Sequence, residues 1–316
     1  MKSLVLAWVA LLALAAVLPA TEEPWLAYSA TNVAPAPAID GQLTDPCWQA
    51  IESTAPFVCI GGAAAPTLTT GKVCWDDRNL YIAFVCAEPA LAAIRQRMAD
   101  RTLPPYEESV EMFFNPSHDH FTYMQLRVDI LGNRDSRPDG DALDPAMNQR
   151  WSAAVALDED RWTVEARIPL RLLAARPPDA GTVWGFNLNR SSASGCTCWS
   201  DTQGPFHSPS RFGHIIFVPP QVYLHSHFDA SFQSIWDEVN ALCHRDPALT
   251  APYGRQVAAL KAENAQFLNA LEAAARDRDC AARYREGLDQ ERKLEALRSE
   301  VYLGVLRTMA NTQRAP

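Results

Sequence analysis

The sequence predicts a mainly β protein: a two-sheet antiparallel β-sandwich, jelly-roll or immunoglobulin-like, followed by a C-terminal α-helical hairpin or coiled-coil extension. Three observations predict this fold. Between about residues 25 and 218, short runs of Val, Ile, Phe, Tyr, Trp and Thr alternate with Gly, Pro, Asp and Asn, as in sandwiches and barrels. From residue 221 to 316 the apolar residues recur with a helical period. The 316 residues are 48% hydrophobic and 21% charged, which is an ordinary globular composition.

The first twenty residues predict a signal peptide. Lys2 precedes an unbroken apolar run over residues 4–18, and Pro19-Ala20 then places a small residue before a polar stretch. An uncleaved membrane anchor is the alternative, but the run is shorter than the ~20 residues that typically span a bilayer. No other run is long enough, so we expect no membrane contact beyond the signal peptide. The protein is therefore expected to be secreted, periplasmic or on the cell surface.

Two hairpins mark the sandwich. The clearest covers residues 71–87, with Asp76-Asp77-Arg78-Asn79 as its turn, because these side chains favour turn conformations. A second pairs residues 151–157 with 162–168, and further strands are predicted over 110–114, 123–128, 183–189 and 212–218. Residues 89–98 look like one short surface helix. Large aromatic residues in periodic strands usually pack inside, so four tryptophans are expected in the core: Trp48, Trp75, Trp162 and Trp184.

Residues 221–316 are predicted to be helical. One helix is expected over 228–243, a connector over 244–252, and a second helix from Tyr253, whose apolar positions step by four and three residues through Leu260 and Phe267. A third helical stretch covers about 279–309. Amphipathic helices need a partner for their apolar face, so these helices form either an intramolecular hairpin or bundle, or a coiled coil through which the chain self-associates.

The net charge excludes one class of partner, and the cysteines raise the question of disulfide bonds. The chain has 28 Lys and Arg against 37 Asp and Glu, a net charge of −9. An acidic surface repels phosphate, so nucleic acid is not expected as a partner. Because an exported chain meets an oxidising compartment, the eight cysteines are expected to form disulfides. Cys243 and Cys280 are one candidate pair, whereas Cys74 and Cys86 lie about five residues out of register on one hairpin and are not expected to pair.

Eight motifs in a fixed order carry a resemblance to a known family. They are Ile39-Asp40-Gly41 with Trp48, Trp75-Asp76-Asp77 with the following strand, and the segments 108–114, 125–129, 162–169, 184–190, 199–201 and 209–213. Over about residues 30–218 the chain resembles the family 9 carbohydrate-binding module and the related DOMON-type sandwiches. The resemblance implies a non-catalytic module that binds a polysaccharide or oligosaccharide in the context of polysaccharide catabolism.

The resemblance also implies a binding site. In sugar-binding members two aromatic side chains clamp the sugar, and the matching positions are Tyr106 and Phe206, where the family has tryptophan. The polar binding groups match Glu111, Gln125, Arg127 and Asp129, the last of which replaces an asparagine. The residue types suit sugars, because aromatic faces cover the C–H groups of a ring while carboxylate, amide and guanidinium groups hydrogen-bond its hydroxyls. The alternative is that Glu111 and Arg127 simply pair with each other on a solvated face.

We expect no catalytic residue and no organic cofactor. Glycosidases need two carboxylates around one bond, but the acidic pairs here lie in turns. The helical remainder is also far shorter than a glycosidase barrel of ~250 residues. Structural calcium is the one metal that the family resemblance suggests, with an oxygen-rich run as its candidate ligands: Asp135, Asp139, Asp141 and Asp144.

Two histidine pairs and two other functions stay open. His118 and His120, like His225 and His227, are two residues apart and would share one face of a strand, but no third metal ligand is evident. One alternative function is a haem-binding redox module of the related sandwich type, for which the candidates are Met112, Met124 and His118. The other is a structural or adhesive envelope protein with a degenerate sugar site.

Overall fold

The structure is a computed structural model that describes residues 26–218, 220–245, 247–273 and 280–312. The predicted signal peptide, residues 1–20, lies outside the described residues. Two β-sheets pack face to face to form a sandwich, and helices follow it. In the described part of the chain, every helix is too short or too polar to cross a bilayer.

The first sheet has eight strands in the order β1-β13-β11-β6-β7-β8, with β12 paired to β11 and β3 paired to β12. Its strands are β1 Ala27–Ser29, β3 Val58–Cys59, β6 Ser109–Asn115, β7 Met124–Asp129, β8 Arg134–Arg137, β11 Val183–Ser192, β12 Gly195–Cys198 and β13 Gly213–Ile216. The second sheet has five strands in the order β2-β4-β5-β10-β9. They are β2 Thr31–Asn32, β4 Thr69–Trp75, β5 Asn79–Ala87, β9 Ser152–Leu157 and β10 Arg161–Pro169.

The expectation of purely antiparallel sheets is wrong, because both sheets are mixed. Strand β1 pairs with β13 in parallel, with Ala27 opposite His214. Strand β2 pairs with β4 in parallel, with Thr31 opposite Cys74. One short N-terminal segment thus continues from the edge of the first sheet to the edge of the second. Strands of two and three residues are too short to show an alternating pattern, so the sequence gives no sign of their direction.

Both predicted hairpins are present, as β4–β5 and β9–β10. Asp76 closes the first turn, since its carboxylate accepts hydrogen bonds from the backbone N–H groups of Arg78 and Asn79. The core between the sheets is formed by alternate strand residues, among them Val110, Met112, Phe114, Leu126, Val128, Val164 and Phe186. Of the four tryptophans, Trp48, Trp162 and Trp184 are buried. Trp75 is partly buried and meets the ring of Phe217 edge-on at 5.2 Å between centroids.

Three short helices lie within the sandwich region: α1 Pro46–Ala50, α2 Leu91–Ala99 and α3 Leu170–Leu173. The C-terminal part contains α4 Pro220–Arg245, α5 Pro247–Thr250, α6 Gly254–Ala273 and α7 Cys280–Thr312. The three long helices share one apolar core, which includes Leu224, Phe228, Phe232, Val239, Leu260, Phe267, Leu271, Leu294 and Val301. The extension is therefore an intramolecular bundle of three long helices. Its predicted heptad-like seam is buried within the chain, and self-association stays a prediction.

Seven of the eight cysteines have described side chains, and all seven are free thiols. Cys74 lies opposite Tyr81 and Cys86 lies opposite Thr69, so the two are five positions apart in the hairpin register. The prediction that they do not pair is confirmed. Burial raises the pKa of the Cys86 thiol to about 12, which makes it unreactive. The side chain of Cys280 lies outside the described residues, so its pairing with Cys243 stays a prediction.

Candidate functional site

One row of polar side chains crosses the outer face of the first sheet. The strand register places Asn189 of β11, Glu111 of β6, Arg127 of β7 and Asp135 of β8 side by side. We call these four residues the polar row. Sequence neighbours such as Leu188, Met112 and Leu126 point the other way, into the core. The row therefore follows from strand alternation and from the pairing of four strands.

Glu111 lies at the centre of the polar row and is only 5% exposed. Gln125 donates a hydrogen bond through Nε2 to one carboxylate oxygen at 2.5 Å, and the Ser191 hydroxyl donates to the other at 3.2 Å. Burial raises the pKa of Glu111, an effect that the positive charge of Arg127 partly offsets. The result is a partly desolvated acceptor that is held in place by side chains.

Arg127 pairs with Asp135 rather than with Glu111. Its Nη2 lies 2.6 Å from the Asp135 carboxylate, which also receives Arg137 at 3.3 Å. The guanidinium carbon lies 3.9 Å from the centre of the Tyr106 ring, a cation–π arrangement. Arg127 thus joins the polar row to the first of the two predicted aromatic residues.

The two predicted aromatic residues flank the row from opposite ends of the strands. Tyr106 lies at the Asp129 end, where its backbone N–H donates to the Asp129 carboxylate at 3.2 Å and its φ is +64°. Phe206 lies at the other end against Phe113, edge-on at 6.4 Å between ring centroids. The side chain of Tyr106 is half-buried, whereas Phe206 is only 9% exposed. The structure therefore brings both to the predicted face, but leaves little of Phe206 open.

Asp129 is buried and already engaged. Besides Tyr106, it accepts hydrogen bonds from the backbone N–H groups of Leu131 and Asn133 and from the Asn133 amide. These bonds close the β7–β8 turn and fix the backbone at Tyr106. In this structure Asp129 therefore shapes the site, while the polar row contains atoms without hydrogen-bond partners among the described residues.

Several buried atoms of this face have no hydrogen-bond partner among the described residues. They are both amide atoms of Asn189, Gln125 Oε1, Arg127 Nε and Asp135 Oδ1. An unpartnered buried polar group is costly, so each one calls for an explanation, such as a functional role or an ordered water or ion. Asn189 was missed as a site residue, although it lies in the motif at 184–190. Its role depends on pairing with a strand about 80 positions earlier.

The four aspartates predicted as calcium ligands do different local tasks. Asp135 pairs with arginine in the polar row. Asp139 accepts hydrogen bonds from the backbone N–H groups of Asp141 and Ala142, and Asp144 does the same for Ala146 and Met147. Such bonds are those of ordinary turns. Calcium binding stays a prediction, and these turn hydrogen bonds give it no support.

Within the described ranges, one group of three residues has the ligand atoms for a metal ion. It consists of His118 and His120, in the β6–β7 loop, and His214 on β13, whose ligand nitrogens all lie within 4.8 Å of one another. Burial, together with the two other imidazoles, lowers the pKa of His214 to about 3.

The other candidate metal and haem ligands do not converge. His225 and His227 lie on helix α4, where residues two apart do not share a face. His225 lies 3.5 Å from Glu272, whereas His227 stacks on Tyr223. Met112 lies in the core between the sheets, and Met124 packs against the same core.

A comparison with known protein families finds a match over the part of the chain that forms the sandwich. The profile of a family described as "Carbohydrate family 9 binding domain-like" matches residues 39–219. The chain is 29% identical over 195 residues to endo-1,4-beta-xylanase A of Thermotoga neapolitana and 28% identical to that of Thermotoga maritima, in each case over 58% of this chain. The match spans only 17% of the length of these two relatives.

Two solved structures are also similar. Both are of a family 9 carbohydrate-binding module from Caldicellulosiruptor kristjanssonii, one in complex with glucose and one with cellotriose. The identities are 25% and 24%, and the TM-score is 0.47 for each. The similarity covers 61% of this chain, and 95% and 93% of those chains.

Proposed function

Because this chain belongs to the carbohydrate family 9 binding domain-like family, we propose that its sandwich binds an oligosaccharide or a polysaccharide without catalysis. The site is the outer face of the first sheet. It is centred on the polar row and flanked by Tyr106 and Phe206. The sugars named for the solved family structures, glucose and cellotriose, define the first ligands to test.

The observation that carries this proposal is the set of buried, unpartnered polar atoms on one face. A sugar ring presents several hydroxyls, each both donor and acceptor, along one edge. The Asn189 amide, the Glu111 carboxylate and the Arg127 guanidinium offer acceptors and donors in a line across adjacent strands, which are about 4.8 Å apart. Successive hydroxyls of one or two rings can therefore meet successive strands.

Aromatic contacts complete the proposed site. Tyr106 keeps part of its ring accessible and is oriented by Asp129 and Arg127, so it supplies the stacking surface for the C–H face of the sugar. Phe206 packs on Phe113 and contributes mainly a wall at the other end of the row. This unequal division places most of the binding energy on hydrogen bonds and on Tyr106.

We further propose that the protein is exported and serves polysaccharide breakdown carried out by other proteins. Support for export comes from the pattern of residues 1–20. Support for the context comes from the xylanases, whose matching segment is a small part of their length.

Calorimetric titration of the full chain with glucose, cellotriose and xylotriose tests the proposal. We expect binding to at least one of them, and a loss of about tenfold or more (about 1.4 kcal/mol) in Tyr106→Ala, Glu111→Ala and Arg127→Ala. Phe206→Ala is expected to weaken binding less. The matched control is Arg167→Ala, because Arg167 is an exposed arginine on the outer face of the second sheet.

Two results would contradict the proposal. If none of the saccharides binds, the structural or adhesive interpretation of the sandwich is favoured. If binding occurs and Tyr106→Ala with Phe206→Ala leaves it intact, the ligand lies elsewhere.

A further inference from the structure

We propose that His118, His120 and His214 form a site for a divalent transition metal, with Zn²⁺ as the best match. The site ties the β6–β7 loop to strand β13 and uses none of the residues of the proposed saccharide site. It goes beyond the proposed function and does not depend on it.

The three imidazoles come from two distant parts of the sequence, a loop and strand β13, and meet in one place. The ring centroid of His118 lies 4.7 Å from that of His120 and 4.8 Å from that of His214. Each ring offers a ligand nitrogen, and these nitrogens lie within 4.8 Å of one another. Strand pairing explains the meeting, since Gly185 of β11 lies opposite both Asn115, just before the loop, and His214.

The distances suit a metal after small side-chain movements. Zn–N bonds of ~2.0–2.1 Å in tetrahedral geometry separate two ligand nitrogens by about 3.3 Å. The present separations therefore need to shorten by about 1.5 Å at most, which rotation of the two loop imidazoles can provide. Three histidines leave the fourth tetrahedral position for water or an external donor, and imidazole ligands favour zinc, copper and nickel over calcium and magnesium.

Both histidines of the β6–β7 loop have an uncommon backbone conformation. His118 and His120 have φ values of +51° and +58°, a left-handed conformation that residues other than glycine adopt uncommonly. The Asp119 carboxylate between them holds this shape, because it accepts hydrogen bonds from the backbone N–H groups of Phe121 and Thr122 and from the Asn115 amide. Strained backbone held by a local network often marks a functional site.

His118, which is half-buried, adds an independent observation. Its Nε2 atom is buried and has no hydrogen-bond partner in the part of the chain that is described. A histidine that merely packs in a core normally pairs its ring nitrogens. A metal ion would satisfy this nitrogen, and β13 would supply the fixed third ligand, since His214 is buried and its backbone N–H pairs with Leu26.

Titration of the metal-free full chain with Zn²⁺ alone, against a competing chelator, tests this proposal. We expect one high-affinity ion per chain, and a rise in the melting temperature with Zn²⁺, because an ion that binds the folded state stabilises it. Co²⁺ should give visible d–d bands without a thiolate charge-transfer band, which separates this site from the free cysteines. Zinc bound through thiolates only, or no bound zinc, would overturn the proposal.

Single variants assign the ligands. His118→Asn and His120→Asn keep a side chain that tolerates left-handed backbone but is a poor zinc ligand. Since loss of a mere outer-shell partner typically costs ~10–100-fold in metal affinity, loss of a ligand should cost about 100-fold or more. The matched control is His244→Asn, an exposed histidine on α4, which should bind zinc like the parent chain. His214→Asn is buried and must first be shown to fold, but the two loop variants decide the question. Unchanged zinc affinity in both would refute the site.

Discussion

Two buried glutamates, one on each sheet, show how the same residue type serves structure in one place and binding in another. Glu165 lies on the outer face of the second sheet, and Glu111 lies on the outer face of the first. The Glu165 carboxylate accepts hydrogen bonds from the backbone N–H groups of Asp40 and Gly41 and from the Trp48 indole, at 2.6 to 2.9 Å. Glu111 is held by the side chains of Gln125 and Ser191, with no backbone donor in the part of the chain that the structure describes.

The surroundings of the two carboxylates differ in the same way. Glu165 is completely buried because the segment that contains α1 covers the second sheet, with Trp48 packed on Tyr81 and Ala83. The polar row is also largely buried, but several of its atoms lack hydrogen-bond partners among the described residues. Burial alone therefore does not identify a site. The informative feature is whether the chain itself saturates the buried group.

The largest effect is expected when each carboxylate is removed. Glu165→Ala leaves the buried Gly41 N–H and Trp48 indole, and the partly buried Asp40 N–H, without an acceptor. Since a buried donor without an acceptor costs ~1–3 kcal/mol, the free energy of unfolding should fall by about 3 kcal/mol or more. Glu111→Ala should cost less than about 1 kcal/mol, since its two donors belong to side chains that can turn to other acceptors. Urea denaturation of both variants measures the difference. Equal losses of stability would show that the two carboxylates stabilise the fold to the same extent.

Sequence patterns predicted most of the sandwich because its long strands alternate. The runs around Met112, Leu126 and Val164 place every second residue in the core, and that alternation is visible without a structure. The motif at Ile39-Asp40-Gly41 and the tryptophan at position 48 were noticed as parts of a resemblance. The structure shows why they accompany each other, since both are joined to Glu165.

Other features could not be read from the sequence, because they depend on pairing between distant strands. Asn189 and Asp135 join the polar row only through the register of β11 with β6 and of β7 with β8. In the same way, His214 meets the histidine loop from almost a hundred residues away. The parallel partners of β1 and β2 were also hidden, as very short strands carry no periodicity.

A second, smaller effect distinguishes two asparagines on the same face of β11. The Asn189 amide has no hydrogen-bond partner among the described residues, whereas Asn187 donates to the Ser200 carbonyl and accepts from the Ser200 N–H. Asn189→Ala should change the free energy of unfolding by less than about 1 kcal/mol but weaken saccharide binding about tenfold. Asn187→Ala, the matched control, should destabilise the fold by about 2 kcal/mol and leave binding of the folded protein unchanged.

The outcome of this pair tests whether unpartnered atoms mark the ligand surface. Calorimetry measures the affinity, and urea denaturation measures the stability. If Asn189→Ala destabilises the protein as much as Asn187→Ala does and binding is retained, then the Asn189 amide stabilises the fold and does not bind the ligand. Unpartnered atoms would then not distinguish the first sheet from the second.

The smallest expected effect is on the pH dependence of saccharide binding. Burial raises the pKa of Glu111 above its ordinary value of 4.5, and only the ionised carboxylate is a full acceptor for sugar hydroxyls. Affinity should therefore fall as the pH is lowered, reaching about half its plateau value when the pH equals the pKa of Glu111. The pKa of Glu111 is higher in the folded state than in the unfolded chain, so the folded state binds this proton more readily. Protonation of Glu111 at a pH between these two pKa values therefore stabilises the fold, and a loss of affinity that it causes does not arise from unfolding.

Glu111→Gln separates this titration from every other group. The variant keeps the shape of the side chain and one acceptor oxygen, so it should bind more weakly than the parent chain, with an affinity that no longer changes over the same pH range. Burial also raises the pKa of Glu165, but that carboxylate lies on the other sheet and should leave the binding curve unaffected. Calorimetric titrations at a series of pH values provide the measurement. A parent chain and a Glu111→Gln variant with the same pH profile would mean that Glu111, like Glu165, supports the fold rather than the ligand.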